Sequence, residues 1–474
     1  MRFTAVYRCT FPANGLTICL LALSFTFCRA QSFDQPYRPR YHFSPREKWM
    51  NDPNGLVYFN GTYHLFFQHY PDDIVWGPMH WGHATSKDLV HWQQQPIALY
   101  PDSLGYIFSG SAVIDSGNTS GFGRAGKIPL VAIFTHHDPK GEKSGSTTFQ
   151  NQSLAYSLDG GATWTKYAGN PVLKNPGITD FRDPSVSWHA KEKKWVMALA
   201  TKDRITFYSS ANLKNWTKES EFGERLGAHG GVWECPNLFT LQEKDRTRWV
   251  LLVSNNPGGP NGGSGTQYFL GDWDGHRFTP GDTSTRWVDY GPDDYAGITF
   301  NNTGGRRIFL GWMSNWEYAN QVPTATWRNA MTIPRELSLR RQGEKLYLAS
   351  RPVKEIDRLK PGLYTLHLSG IPVHDFSLHF SNAGGDELVI GYDQSANQYY
   401  IDRSRAGHVG FHPGFGSRYT APRVSTVKKI NLTVVMDASS AELFADDGLT
   451  VMTAVFFADQ PLSTVRGEGV AINE

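Results

Sequence analysis

Three times in this chain a carboxylate one or two residues before a proline opens a pair of strands. Trp49-Met50-Asn51-Asp52-Pro53-Asn54-Gly55 leads into apolar residues 56–59, an Asn60-Gly61 turn and a second apolar run at 62–68. Arg182-Asp183-Pro184 opens residues 185–189, a polar turn and residues 195–200. Glu234-Cys235-Pro236 opens residues 237–241, a turn at Lys244-Asp245 and residues 249–254. A unit of this size cannot bury its own faces, so repetition implies copies stacked on one another.

Two further units fit with less regular openings. Phe108-Ser109-Gly110-Ser111 is followed by strand-like residues at 128–135, and Asp293-Asp294-Tyr295-Ala296 by residues 297–300 and 307–312. Starts near 52, 109, 183, 234 and 293 give five units, each with room for about four strands. Ser86-to-Trp92, Ser157-to-Trp164 and Ser210-to-Trp216 recur between them as related turn signatures. Five four-stranded units predict an all-β fold, a five-bladed β-propeller, over residues 31–340. The first strand of each blade lines the central axis, so Asp52, Asp183 and Glu234 are expected in one axial pocket.

Past residue 340 the rhythm changes. Residues 341–360 read as a charged linker. Residues 361–474 hold seven short alternating strands, at 364–368, 376–380, 387–392, 398–402, 430–436, 441–444 and 450–457, as in a β-sandwich. At the other end, Arg2 and Arg8 precede an apolar run at 16–27, and Cys28-Arg29-Ala30 places small residues for cleavage. Residues 1–30 are therefore expected to be a secretory signal and the mature protein to be extracellular. Of the four cysteines only Cys235 lies beyond the signal, so neither an internal disulfide nor a cysteine metal site is expected. Six Asn-x-Ser/Thr sequons occur, at 60, 118, 151, 215, 301 and 431. With 46 Lys+Arg against 44 Asp+Glu there is no charge footprint for nucleic acid or an anionic membrane.

Two carboxylates flanking a glycosidic bond supply a nucleophile and a proton donor. Arg182 beside Asp183 is expected to hold that carboxylate ionised, as are turn N–H groups for Asp52. Glu234, between Trp233 and Cys235, has the most apolar sequence neighbours and is the candidate acid. Trp49, Trp76, Phe108 and Trp316 offer rings for apolar sugar faces, and Asn51, Gln68, Ser109 and Arg182 offer partners for hydroxyls. His80, His83 and the His136-His137-Asp138 run lack metal-ligand spacing, so no metal or other cofactor is expected. A non-catalytic glycan-binding propeller is the rival from another class; it predicts loss of at least one acid, and all three are present.

These residues match a known pattern. Trp49–Gly55, Gln68 with Trp76-Gly77-Pro78-Met79-His80-Trp81-Gly82-His83, Phe108–Ser111, Phe181–Pro184, Trp233–Pro236 and Ile333-Pro334-Arg335-Glu336-Leu337 occur in the order found in glycoside hydrolase family 32, which the chain resembles over nearly all its mature length. The resemblance implies a propeller joined to a sandwich and retaining hydrolysis of β-fructofuranosides, without a cofactor. It implies Asp52 as nucleophile, Glu234 as acid/base and Asp183 as stabiliser of the transition state. Sucrose is the default substrate, with inulin or levan as the alternative toward which Gly311–Asn320 tilts. Where the family usually has an aromatic in its fifth-blade motif this chain has Asp294, which is expected to alter the pocket rim.

Overall fold

Each expected unit is built on four antiparallel strands in the computed structural model, which describes residues 35–358 and 365–472, and a short fifth strand joins three of the five sheets. The innermost strands of the five sheets are Lys48–Phe59, Tyr106–Ile114, Phe181–His189, Val232–Glu243 and Tyr295–Thr299. Each touches the next, and the fifth touches the first, so the ring closes. Trp327–Arg328 returns from the fifth blade to pair in parallel with the first innermost strand. The expected signal, residues 1–30, lies outside the described residues.

Local turn chemistry explains why the units repeat. In the first three blades the turn between third and fourth strands starts with a serine whose hydroxyl bonds an Asp or Asn two residues on: Ser86 with Asp88, Ser157 with Asp159, Ser210 with Asn212. A tryptophan then closes the turn by donating its indole N–H to the carbonyl three residues back, at 2.9, 3.1 and 2.9 Å. The polar tip of each ring is satisfied while its body packs between blades.

The fifth blade runs further than the sequence suggests. Arg335–Gln342 and Lys345–Pro352 are its third and fourth strands, so residues 341–352 belong to the propeller rather than to a linker. Their charged residues face solvent on an outer strand pair, which hides the strand pattern. The sandwich has a four-stranded sheet and a five-stranded sheet. The seven expected strands are present. The two additional ones, Arg418–Pro422 and Thr464–Glu468, are the edges of the larger sheet: the second is largely exposed on both faces, and the first alternates but is only five residues long and ends in a proline.

Propeller and sandwich share a core. One buried cluster runs from Trp49 and Trp312 through Ile333 to Val435, Phe444 and Val451. Arg335, fully buried, crosses the boundary: it bonds Asp289 and Asp294 at 2.9 Å and Glu442 and Thr453 on the sandwich side. Arg403 reaches back from the sandwich to Asp293 at 2.6 Å. Asp294 is thus part of an interdomain ion network and not of the pocket rim, where the sequence placed its effect.

Candidate active site

Every innermost strand carries a β-bulge at the same depth. Two residues oppose one in each: Asn51 and Asp52 against Gln68, Phe108 and Ser109 against Thr135, Asp183 and Pro184 against Leu199, Cys235 and Pro236 against Val253, Ala296 and Gly297 against Gly311. Bulges re-aim side chains and cluster beside functional sites. Asp183, Cys235 and Ala296, each first in its bulge, have φ of 63°, 46° and 55°, a left-handed conformation costly for residues other than glycine.

The shared register explains which side chains meet. Residues at equal bulge positions in adjoining blades lie side by side around the ring. At the second position, Ser109 Oγ donates to Asp52 Oδ2 at 2.7 Å. At the first, the Cys235 N–H donates to Asp183 Oδ2 at 3.0 Å. At the paired residue just before the bulge, Arg182 donates through Nε and Nη2 to Glu234 Oε1 at 3.1 and 2.9 Å, and the Tyr295 hydroxyl donates to Glu234 Oε2. The three acids therefore stand at three consecutive register positions, rather than at one equivalent position. The Cys235 thiol bridges the set, with Sγ 3.6 Å from both Asp52 Oδ2 and Asp183 Oδ2.

Electrostatics differ from the expectation read off sequence neighbours. Arg182 does not bond Asp183, because adjacent residues on a strand point apart. Its guanidinium goes to Glu234 and Asp180 instead. Burial, with the Glu234 and Asp52 charges, overrides Arg182 and pushes Asp183 up to about 7. Asp52 is also raised, by burial and then by Glu234, against hydrogen bonds from Ser109 and Asn51. Burial, then the charges of Asp183 and Asp52, pushes the Cys235 thiol well above its usual range, so it remains a protonated donor. Glu234 is not in apolar surroundings: it is held by Arg182 and Tyr295, and its side chain is 21% exposed at the open end of the cluster.

The other expected binding residues gather here with one exception. Asn51 Nδ2 donates to Asp52 Oδ1 at 2.8 Å, and Gln68, opposite that bulge, is buried with its Nε2 unpaired. Trp76 is 40% exposed and meets Phe108 edge-on at 6.1 Å. Phe108 in turn stacks on His137 at 4.2 Å. Trp316 stacks on Trp49 at 6.0 Å. Trp49 itself is fully buried and cannot offer a ring face; its role is the indole N–H given to Asn51 Oδ1 at 2.7 Å. Tyr295 and Cys235 are the site residues that sequence reasoning missed. Counting register from the fifth unit's opening would have set Tyr295 beside Glu234. His136 and His137 are spent on Ser153, Asp102 and Glu142.

The model of the glycosyl hydrolases family 32 N-terminal domain matches residues 42–350, and that of the family 32 C-terminal domain residues 365–470. The chain belongs to glycoside hydrolase family 32. It is a glycoside hydrolase with the family's propeller and sandwich. A levanase of Bacillus subtilis is 45% identical over 93% of this chain and 70% of its own length. An extracellular exo-inulinase of Aspergillus niger is 42% identical over 94% of this chain and 93% of its own. The crystal structure of exo-inulinase from Aspergillus awamori superposes with a TM-score of 0.84 at 39% identity, over 92% of this chain and 96% of that one.

Proposed function

We propose that this family 32 enzyme is an exo-acting, retaining β-fructofuranosidase. It is secreted after removal of residues 1–30 and releases terminal non-reducing fructosyl units from levan or inulin as well as from sucrose. The observation that carries the reading is the meeting of Asp52, Asp183 and Glu234, from three blades, at one mouth of the closed ring. In the first step an Asp52 oxygen attacks the anomeric C2 while Glu234 gives its proton to the glycosidic oxygen, and the leaving sugar departs. In the second, Glu234 takes a proton from water, the water oxygen attacks C2, and the Asp52 carboxylate is expelled. Asp183 binds fructose hydroxyls and faces the positive charge that develops on the ring. The exposure of Glu234 suits a group that must reach the leaving oxygen, and the burial of Asp183 beside the part-buried Asp52 suits a blind pocket for one terminal unit. Sucrose is the smallest substrate; the levanase and exo-inulinase relatives shift the weight toward fructans.

The test is a product assay on sucrose, inulin and levan, run beside Asp52→Ala. Fructose released singly from a fructan and from sucrose, and abolished in the variant, is expected. Release of longer oligosaccharides would refute exo action, and turnover of sucrose alone would refute the fructan reading.

A further inference from the structure

The axial channel has a second mouth. The innermost strands begin at the acids and run away from them, so their far ends surround the opposite opening. A polar groove of ≈ 270 Å³ lies there. It shares Ser185, Asn237 and Asn301 with the narrower cavity beneath the acids. Two side chains in this groove are not accounted for by packing.

Trp188 is 43% exposed; it meets Trp195 edge-on at 5.0 Å, and the remainder of its ring faces water. Arg307 lies over the Phe239 ring at 5.0 Å, half-buried. Among the described residues no carboxylate or side-chain acceptor holds its guanidinium. Arg182, Arg335 and Arg403, three enclosed arginines near the channel and the interface, are each tied to carboxylates. Burial without a counter-charge pulls Arg307 down to about 10. Its nitrogens are not sealed off inside the protein, so the donors open onto the groove.

We propose that this groove is a non-catalytic saccharide site that holds a segment of a sugar chain at the face opposite the acids. The Trp188 ring receives the apolar face of a sugar unit, and Arg307, with five fixed donors, and Asn302 bond its hydroxyls. An aromatic platform beside a few convergent polar groups is the usual chemistry of carbohydrate pockets. That the sugar is a fructan rests on the functional reading above; the site itself does not. A polymer held here stays near the enzyme while its ends enter the catalytic mouth.

The experiment uses full-length Asp52→Ala protein, which does not consume its ligand, in native gels containing levan, inulin or dextran. Retardation by a fructan is expected, with affinity about five- to tenfold weaker when Trp188→Ala or Arg307→Gln is added, the scale of one lost stacked ring. In the active background Trp188→Ala should leave kcat and KM on sucrose unchanged, which also reports folding, while KM on the polymer rises. Equal retardation with and without Trp188 would overturn the proposal. So would a site that binds inorganic sulfate, read by tryptophan fluorescence, with no Trp188-dependent binding of any saccharide. Trp188-dependent retardation by dextran alone would uphold the site and refute its fructan ligand.

Discussion

Asp183→Asn should stabilise the fold while disabling the chemistry. The carboxyl is buried, and its proton is held up to about 7 from 3.8 by burial and the neighbouring acids. Below about pH 4 the group is protonated in folded and unfolded chains alike and contributes nothing. Between about pH 4 and 7 the unfolded chain ionises while the folded one keeps its proton, so stability is lost as pH rises. Above about 7 both are ionised and the loss is constant. At about 1.4 kcal/mol per pH unit, that gap amounts to roughly 4 kcal/mol. Asparagine keeps the shape and a carbonyl oxygen for the Cys235 N–H, but it cannot ionise. For a chain this long, unfolding entropy of about 2 cal/mol/K per residue makes 1 kcal/mol worth about 1 °C in Tm. Calorimetry should therefore show the variant melting about 3–4 °C above wild type near pH 8 and level with it near pH 3.5. Hydrolysis of sucrose and levan should fall by about a hundredfold or more. A variant that melts at or below wild type near pH 8 would show that Asp183 is not under electrostatic strain and would refute the assignment of its raised pKa to burial among like charges.

His42 should give the opposite pH dependence. Against burial, its bonds to Asp437 at 2.8 Å and Glu442 at 2.7 Å push it up to about 9, so its contribution is full below about 6.5 and lost as pH rises through 9. About 3 kcal/mol is at stake, and His42→Ala should flatten the fall in Tm over that window; an unchanged slope would locate the pH dependence elsewhere. Glu234→Gln should lower kcat on sucrose by about a hundredfold or more, with far smaller loss on activated aryl fructosides, whose leaving groups need little protonation. Equal losses on both substrates would remove Glu234 from the acid role.

What the sequence reveals is what short-range chemistry encodes. The Ser-x-Asp turns and the Asn60-Gly61 hairpin act within a few residues, so the blades are countable by eye. The acids are legible because each lies within one residue of a bulge that recurs in every unit. Contacts around the ring are not legible by adjacency. Arg182 touches Glu234, some fifty residues away, and not its neighbour Asp183. Trp49 resembles a sugar platform in sequence yet lies beneath the pocket. Asn301 shows the same limit for sequons: its amide donates to the Ala112 carbonyl at 2.9 Å, inside the propeller, whereas Asn60, Asn118 and Asn215 are exposed.

Asp294 shows how the second domain enters the chemistry of the first. As a departure from the family's aromatic it reads as a change to the pocket, but its side chain turns toward Arg335, and through Arg335 to Glu442 and Thr453 of the sandwich. The next residue, Tyr295, turns the other way and donates to Glu234. Adjacent residues on one chain segment thus fasten to the sandwich on one side and to the candidate acid on the other. Gly311, opposite the fifth bulge, makes the arrangement possible: a Cβ there would stand 2.0 Å from Asp294 Oδ1. A buried arginine left without its carboxylates is costly, by about 3–5 kcal/mol when one partner is removed. Asp294 is therefore held firmly, and Tyr295 with it. The sandwich contributes no group to the acid cluster, yet it fixes the strand that aims a donor at Glu234, and the fifth blade positions the candidate proton donor without supplying an acid of its own.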